Sequence, residues 1–561
     1  MSLRLTEFLV ALTAAAWLVP NHYLPWPAAW GDALAIIGLL LTLLVVRPAV
    51  GSVAGSRMSW QLSGVAVVCG MVIFVQFMTG KLLFAGDAVM AVLYVWLWVA
   101  AVLAGGAMVA SSNRSDGLIT LTGAWLFAAL LSVGIALVQW TGALNLGIYA
   151  VDLPPGGRPF ANVAQPNLFC TVCFLGLCGL LWLHQRQKVH DAGFWPSAVF
   201  LLLGMVMSQS RTGWLQIGLL VIWGLVLRER AGLRATRAQL LALGALFVAG
   251  ALLWPKVCDA LLLPAGRALN DQMRTGQRLP YWHAMLDAIG REPLWGYGWQ
   301  QVGAAQQRVA QDHPIIGEYF EHSHNLILDL LLWNGVPFGG LIIGVLVWWF
   351  ATRIRACQDA RAAWLLAAAG GVITHGMLEY PLDYASFLIP VGLAMGAVDG
   401  LSPSKGASLW IPLRAKLLFT LMVSAVFVAV SVDYLKAEGN YRILRLESAR
   451  IGTDRIVTPA VQLPVLTQLG AFLKFARTEA TPGMQADQLE RMRKVAERFG
   501  YPPVLFRYAL ALALNGQPVE AAHQIQILRH IWGDEMYVQL KEQVAGLAAT
   551  KYPELKRLSL P

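Results

Sequence analysis

Residues 88–110 read AVMAVLYVWLWVAAVLAGGAMVA, twenty-three residues in succession without a charge. Wound as a helix they extend about 35 Å at ~1.5 Å per residue, enough to cross the ~30 Å hydrocarbon layer of a bilayer. Segments of the same kind lie on both sides, at 5–19, 32–46, 60–78, 118–140, 165–183, 194–209, 212–228, 238–254, 325–350, 362–377, 382–398 and 417–433. The pattern predicts an all-α, polytopic integral membrane bundle of about 12–13 transmembrane helices. Composition agrees. Of 561 residues, 57% are hydrophobic and 13% charged, about half the ~25% charge of a soluble domain. A secreted disulfide scaffold, a disordered tail and a soluble enzyme all fit poorly. The 22 Trp suit a chain with two long membrane–water interfaces, where indole rings collect.

Basic residues predict the orientation, because cytoplasmic loops retain Lys and Arg. Alternate loops carry Arg4; Arg47 and Arg57; Arg114; Arg186 and Lys188; Arg228, Arg230, Arg234 and Arg237; Arg353, Arg355 and Arg361; and Lys405, Arg414 and Lys416. The short loops of the other parity carry only Lys81, Arg158 and Arg211. This asymmetry predicts a cytoplasmic N-terminus, with the first apolar run as the first span and not a cleaved signal. With an odd span count the C-terminus lies outside. The net charge of +10 is accordingly read as loop charge, with the lipid bilayer as partner and no nucleic acid. The six Cys are read as small hydrophobes, Cys170 and Cys173 included, and only Cys258 falls in a predicted loop.

Two segments are polar. The loop 255–324 belongs to a membrane part spanning 1–433 and is extracytoplasmic by the charge count; its Tyr281, Trp282, Trp295, Tyr297 and Trp299 predict order. The tail 434–561 is expected to be a soluble helical domain outside the membrane. Leu505–Leu512 and Ala521–Leu528 carry apolar residues at helical spacing, joined by a turn at Gly516-Gln517-Pro518. That hairpin resembles a tetratricopeptide unit. One hairpin cannot bury its own face, so packing on helices at 436–449 and 484–499 is expected, with a role in holding a partner or bracing the membrane part.

Charged side chains in or beside spans cost about 2.5–3.5 kcal/mol at mid-helix and so mark function. Here Arg158, Gln165 and Asn167 precede or open the sixth span, and Arg211 opens the eighth. Arg278 lies in the large loop. His322-Ser323-His324-Asn325 ends that loop, and His375, Glu379, Tyr380 and Asp383 sit between spans eleven and twelve. All map to the extracytoplasmic face, where spans six, eight, ten and twelve begin. Four helix N-termini with unpaired N–H groups, together with three arginines, suit a multiply charged anion such as a diphosphate. Each residue also has a plainer use. Arg158 can anchor a loop at the headgroups, Asn325 can cap a helix, and His375 can satisfy a neighbouring helix. Glu379 and Tyr380 can form a turn before Pro381 or orient an Arg. His322 and His324, beside an anion site, are proton-transfer candidates. With Asp312 or Glu321 they lack the spacing of a zincin helix, and no metal is assigned.

At these residues the chain resembles the bacterial O-antigen ligase and polymerase superfamily, and most closely its protein O-oligosaccharyltransferase branch (PglL/PilO type). The ligase pattern, a His followed by Asn, Ser or Gln, nine residues and a Gly, reads His324-Asn325 and Gly335. A second Gly three residues further on in that pattern is Phe338 here, with Gly339 one later. Arg278-x-x-x-Trp282 with Pro293-Leu-Trp-Gly296-Tyr-Gly298, and Ser210-Arg211-x-Gly213, are similar to the family's loop and arginine turn. Four more stretches resemble the protein-glycosylating branch: Pro20–Trp26, Gln76–Asp87, Pro159–Asn167 and His375–Tyr384.

The resemblance implies a metal-independent glycosyltransferase without a cofactor. It implies that a glycan passes en bloc from an undecaprenyl-diphosphate donor, on the periplasmic side of the bacterial inner membrane, to a Ser or Thr of an exported acceptor protein such as pilin. Under it, Arg211 and Arg278, assisted by Arg158, take the diphosphate, and His324 is the general base, with His322 as its partner or substitute. Gln165, Asn167, His375, Glu379 and Tyr380 belong to the substrate site. The alternatives are an O-antigen ligase acting on lipid A-core, an O-antigen polymerase and, from another class, a transporter or flippase. No internal repeat is visible, and the polar residues gather at one face; both features favour surface chemistry over transport.

Overall fold

The computed structural model describes residues 2–45, 55–110, 116–264, 266, 276–402, 408–451, 461–558 and 560. Of the loop cations counted above, Arg47, Arg114 and Lys405 lie outside the described residues, and the side chain of Arg4 is not described. The chain is a multi-pass, all-α membrane protein. Its helices are α1 (Ser2–Ala15), α2 (Ala29–Val45), α3 (Trp60–Met78), α4 (Ala85–Ala110), α5 (Asp116–Thr141), α6 (Pro166–Gln185), α7 (Asp191–Ser208), α8 (Arg211–Leu227) and α9 (Arg237–Leu261). After them come α10 (Arg278–Arg291), α11 (Val302–Val309), α12 (Leu326–Ala356), α13 (Ala360–Gly376), α14 (Ala385–Leu401) and α15 (Leu413–Ser448). The tail holds α16 (Thr467–Ala476), α17 (Ala486–Arg498), α18 (Pro502–Leu514), α19 (Pro518–Trp532) and α20 (Asp534–Thr550).

Every apolar segment of the sequence falls on a helix. Among the described residues, eight helices are long and apolar enough to cross a membrane: α3, α4, α5, α6, α7, α9, α12 and α15. The others at predicted spans, α1, α2, α8, α13 and α14, have 14 to 17 residues. One loop reading is corrected. α9 continues through Pro255 to Leu261, so Cys258 is a buried helical residue and not a loop residue. A second correction concerns 436–449, which is the last part of the 36-residue α15 and not a separate helix.

The described residues form two compact units. The first takes 1–67, 94–274 and 345–425, and the second 68–93, 275–344 and 426–561. In the first unit α6 is the hub. Every residue from Leu168 to His184 is buried, and α5, α7, α8 and α13 pack around it. Small residues allow the backbones to touch, as membrane helix packing requires in the absence of a hydrophobic driving force. A Cβ on Gly179 of α6 would come within 2.5 Å of the Thr122 carbonyl, and one on Gly396 of α14 would overlap the Val102 carbonyl of α4. Large apolar side chains such as Phe127 and Ile222 are exposed, as a lipid-facing surface requires.

In the second unit the tail builds its own core. Leu505, Ala509 and Leu512 of α18 meet Ala521, Ile525 and Leu528 of α19, closed off by Met492 and Val495 of α17 and by Tyr537, Leu540 and Val544 of α20. Burial of a side chain such as Ile525 or Leu528 contributes about 1.5–3 kcal/mol. The predicted hairpin is therefore one element of a five-helix array.

Candidate functional site

In the second unit the tenth apolar segment is a broken helix. α12 is interrupted at Gly335, whose φ of 72° and ψ of 172° suit only glycine, with Pro337 directly beyond. A break inside a span frees backbone groups that lipid cannot satisfy. The 293–297 loop satisfies them: the Val336 amide donates to the Pro293 carbonyl at 2.7 Å, and the Tyr297 amide to the Leu332 carbonyl at 2.7 Å. Gln76 Nε2 donates to the carbonyls of Trp333 and Trp295, at 2.6 and 2.8 Å. Trp299 Nε1 donates to Asn334 Oδ1 at 2.9 Å, and its ring stacks on Trp333. The motifs Pro293–Gly298 and Gly335 are thus two halves of one joint.

Ahead of this joint lies the histidine turn. His324 has a φ of 55°, in the left-handed region, which costs a non-glycine residue about 1–3 kcal/mol and is characteristic of functional sites. Asn325 caps α12, its Oδ1 accepting from the amides of Ile327 and Leu328 at 3.0 and 3.2 Å. Buried Ser323, between the histidines, is held three ways. Its amide donates to Asp329 Oδ1 at 2.7 Å, its hydroxyl donates to the Asn325 carbonyl at 2.9 Å, and its carbonyl accepts from Trp282 Nε1 at 2.8 Å. The His324 ring meets Phe320 edge-on at 5.1 Å, and the His322 ring meets Trp333 edge-on at 6.5 Å. Arg278 is the first residue of α10, one turn before Trp282, and the Arg278-x-x-x-Trp282 motif is tied to the histidine turn by the hydrogen bond from Trp282 Nε1 to the Ser323 carbonyl.

The first unit holds the remaining predicted residues. Arg211 begins α8 behind its N-cap Ser210. A cation at the positive end of a helix is unfavourably placed unless an anion joins it. Arg158 Nη1 donates to the carbonyls of Ser208 and Gln209 at the end of α7, at 3.2 and 3.3 Å. There it complements the negative helix end and borders the Ser210-Arg211 turn. Gln165 caps α6, its Oε1 accepting from the Leu168 amide at 3.0 Å. Asn167 Nδ2 donates to Glu379 Oε1 at 3.0 Å. One turn further into α6, Thr171 Oγ1 lies 2.9 Å from His375 Nδ1 and accepts from Gln216 Nε2 at 2.9 Å. Gln216 also donates to the Gly371 carbonyl at 3.1 Å. Thr171, Gln216 and His375 are completely buried. A polar column therefore crosses α6, α8 and α13, with Glu379 at its outer end. Tyr380 precedes the short turn Pro381–Asp383, and its ring stacks on Tyr384.

One expectation is revised. The four helix N-termini were expected to offer unpaired N–H groups to an anion. α6, α8 and α12 are instead capped by Gln165, Ser210 and Asn325, and the Ser386 amide in the first turn of α14 donates to Asp32 Oδ1 at 2.9 Å. Each of these contacts takes one or two of the amides at its helix end. Arg158, Gln165, Asn167, Arg211, His375, Glu379 and Tyr380 belong to the first unit; Arg278, His322 and His324 belong to the second. Sequence reasoning did not single out Thr171, Gln216 or Asp329, and it quoted Gln76 and Ser323 only as parts of longer stretches. Gln216 and Gln76 were the detectable ones, as amide side chains inside otherwise apolar runs.

Comparison with known proteins matches this architecture. Residues 196–343, which include Arg211, Arg278, the histidine turn and the joint at Gly335, match the O-antigen ligase family. Residues 363–545 match the C-terminal part of the virulence factor membrane-bound polymerase family. The chain is 29% identical over 570 residues to the general O-oligosaccharyltransferase of Acinetobacter baylyi, covering 97% of this chain and 95% of that protein. It is 25% identical over 524 residues to the ComP-specific O-oligosaccharyltransferase of the same organism, covering 92% and 93%. The chain is thus similar over almost its whole length to O-oligosaccharyltransferases, and residues 196–343 carry the match to the O-antigen ligase family.

Proposed function

We propose that the protein transfers a glycan en bloc from an undecaprenyl-diphosphate donor to a Ser or Thr hydroxyl of an exported protein such as pilin, at the periplasmic face of the bacterial inner membrane. The observation that carries this reading is His324, a non-glycine residue in a left-handed turn beside a broken span, in a chain similar over almost its whole length to O-oligosaccharyltransferases. His324 takes the proton of the incoming hydroxyl, whose oxygen attacks the anomeric carbon of the donor sugar. The bond from that carbon to the phosphate oxygen breaks, and the lipid diphosphate leaves with the electron pair. Arg211 and Arg278 stabilise the growing phosphate charge with planar, permanently charged donors, and Arg158 assists from the end of α7. His322 supports or substitutes for His324. Gln165 and Asn167 shape the entrance of α6, and Glu379, Tyr380 and His375 orient an arginine or the acceptor. Residues 1–433 form the membrane enzyme and 434–561 a periplasmic domain.

Deleting the gene in a glycosylating host tests the reading. The glycan mass shift should vanish from an exported protein while the lipopolysaccharide ladder stays intact. A collapsed ladder with the mass shift retained would instead identify a ligase acting on lipid A-core. Labelling of single cysteines placed beside Arg211 and His324 should occur from the periplasmic side for both.

A further inference from the structure

In the second unit the tail helices contact the loop that carries the histidines at several points: His523 of α19 meets Gln311, Ile527 and Ile531 pack with Ala310 and Tyr319, and a further corner lies at the α17–α18 junction. Tyr319 is the pivot. Its hydroxyl donates to the Arg498 carbonyl at 3.0 Å, and its ring meets Tyr501 edge-on at 5.4 Å. Gly303 and Gly500 flank it because a Cβ on either would overlap the Tyr319 side chain. Gln307 Nε2 donates to the carbonyls of Ala496 and Glu497 at 3.1 and 2.9 Å, and Trp532 Nε1 to the Gly500 carbonyl at 3.0 Å. Two further contacts involve charge. Arg498, with 10% of its side chain exposed, donates Nε to Oδ1 of Asp87, 1% exposed, at 3.1 Å. The Tyr501 hydroxyl donates to Glu321 Oε1 at 2.6 Å. Burial, then the Glu321 carboxylate, push the Tyr501 phenol up, so it keeps its proton and remains a donor.

Glu321 directly precedes His322 and lies three residues before His324. The same stretch is pinned from the other side by Gln306, which accepts from the Phe320 amide at 2.9 Å and donates to the Glu318 carbonyl at 2.8 Å. Phe320 in turn touches the His324 ring. A strained left-handed turn persists only where its surroundings over-determine it, and these contacts supply that constraint from the tail.

We propose that Tyr501 and Arg498 are positioning residues for glycan transfer: acting on Glu321 and Asp87, they make the tail a brace that holds the 318–324 segment, and with it His324, in its working conformation. The proposal rests on His324 being the base. It predicts a rate effect where a tail that served only to dock the acceptor would show an affinity effect.

Tyr501→Phe removes one hydroxyl and leaves the packing intact. Kinetics of the purified full-length enzyme, with lipid-linked donor and acceptor protein, should show kcat reduced about tenfold, which is ~1.4 kcal/mol. KM for both substrates and the thermal midpoint should stay close to those of the parent. Glu321→Ala, which leaves no acceptor for the Tyr501 hydroxyl, should match it, and the double variant should be no slower than either single one, because both remove the same contact. An unchanged kcat in Tyr501→Phe, a raised acceptor KM at unchanged kcat, or additive losses in the double variant would each overturn the proposal. His324→Ala, assayed alongside, separates the two levels. Activity in that variant removes the base and the brace together; inactivity there with full kcat in Tyr501→Phe removes the brace alone.

Discussion

A Cβ built on Gly296 would lie 2.7 Å from the amide nitrogen of Gly335, so the loop before the histidine turn and the break in α12 meet backbone to backbone. The family pattern places a Gly beyond nine residues that follow His324-Asn325, and this contact gives it a physical reason: the span breaks there, and the broken ends are hydrogen-bonded by a stretch of backbone that approaches without a side chain between.

Gly335→Ala should therefore combine a left-handed strain of about 1–3 kcal/mol with an overlap on the Leu294 carbonyl. A lowered melting temperature in detergent and loss of transfer are expected. Gly340→Ala, with no atom within 4 Å of the added Cβ, is the control. It should be neutral or stabilising by about 0.5–1 kcal/mol, since it removes a glycine from a helix interior.

His324→Ala should abolish transfer while protein level and donor binding persist. His324→Gly should be equally inactive but more stable than the alanine variant by roughly 1–2 kcal/mol, because glycine adopts the positive φ without strain. Comparison of the two melting curves reads the strain apart from the chemistry. Full activity in either variant would remove the base.

Arg211→Ala and Arg278→Ala should each weaken binding of a lipid diphosphate as well as the rate. A charge-assisted contact is worth about 1.5–3 kcal/mol, which is roughly tenfold or more in affinity. Lysine at either position keeps the charge but not the planar fork, and should restore only part of the affinity. Undiminished affinity in the alanine variants would detach these arginines from the diphosphate.

In the proposed mechanism arginines carry the phosphate charge and a histidine the proton. EDTA should accordingly leave the rate of purified enzyme unchanged. Loss of activity on chelation, restored by a divalent cation, would reassign the phosphate charge to a metal.

The loop unit should also have an acid-side stability limit. Asp287 is held below the usual carboxylate range by hydrogen bonds from Arg291 and then from His313. Its folded pKa lies below the unfolded value near ~3.9, so the stabilisation is complete above that value and is lost as pH falls through the folded one. Asp287→Asn should flatten this part of a melting-temperature profile below pH ~4 and leave the profile above it parallel to that of the parent. An identical acid limb in the variant would assign the effect elsewhere.

The apolar segments could be read directly because span length is a local property: an uncharged run of sufficient length has few other uses. Arg278, in the large loop, and the histidine pair were singled out by motif, and Arg211 for a related reason. An ion beside a span is costly to insert wherever its partners lie, so it marks itself. Thr171 and Gln216 were not legible in this way, because a hydroxyl or amide in a helix is cheap and becomes informative only when His375 is found against it.

The amino-acid order thus carried the membrane class and the helical segments, which follow from hydrophobicity and charge along the chain, and it named the side chains proposed for the chemistry. The break at Gly335, the left-handed turn at His324 and the tail corner against Glu321 depended on folding. Their contacts join groups far apart in the chain, backbone to backbone in Val336 with Pro293 and side chain to side chain in Tyr501 with Glu321, and hydrogen bonds of that kind leave no periodic trace in the residues that make them.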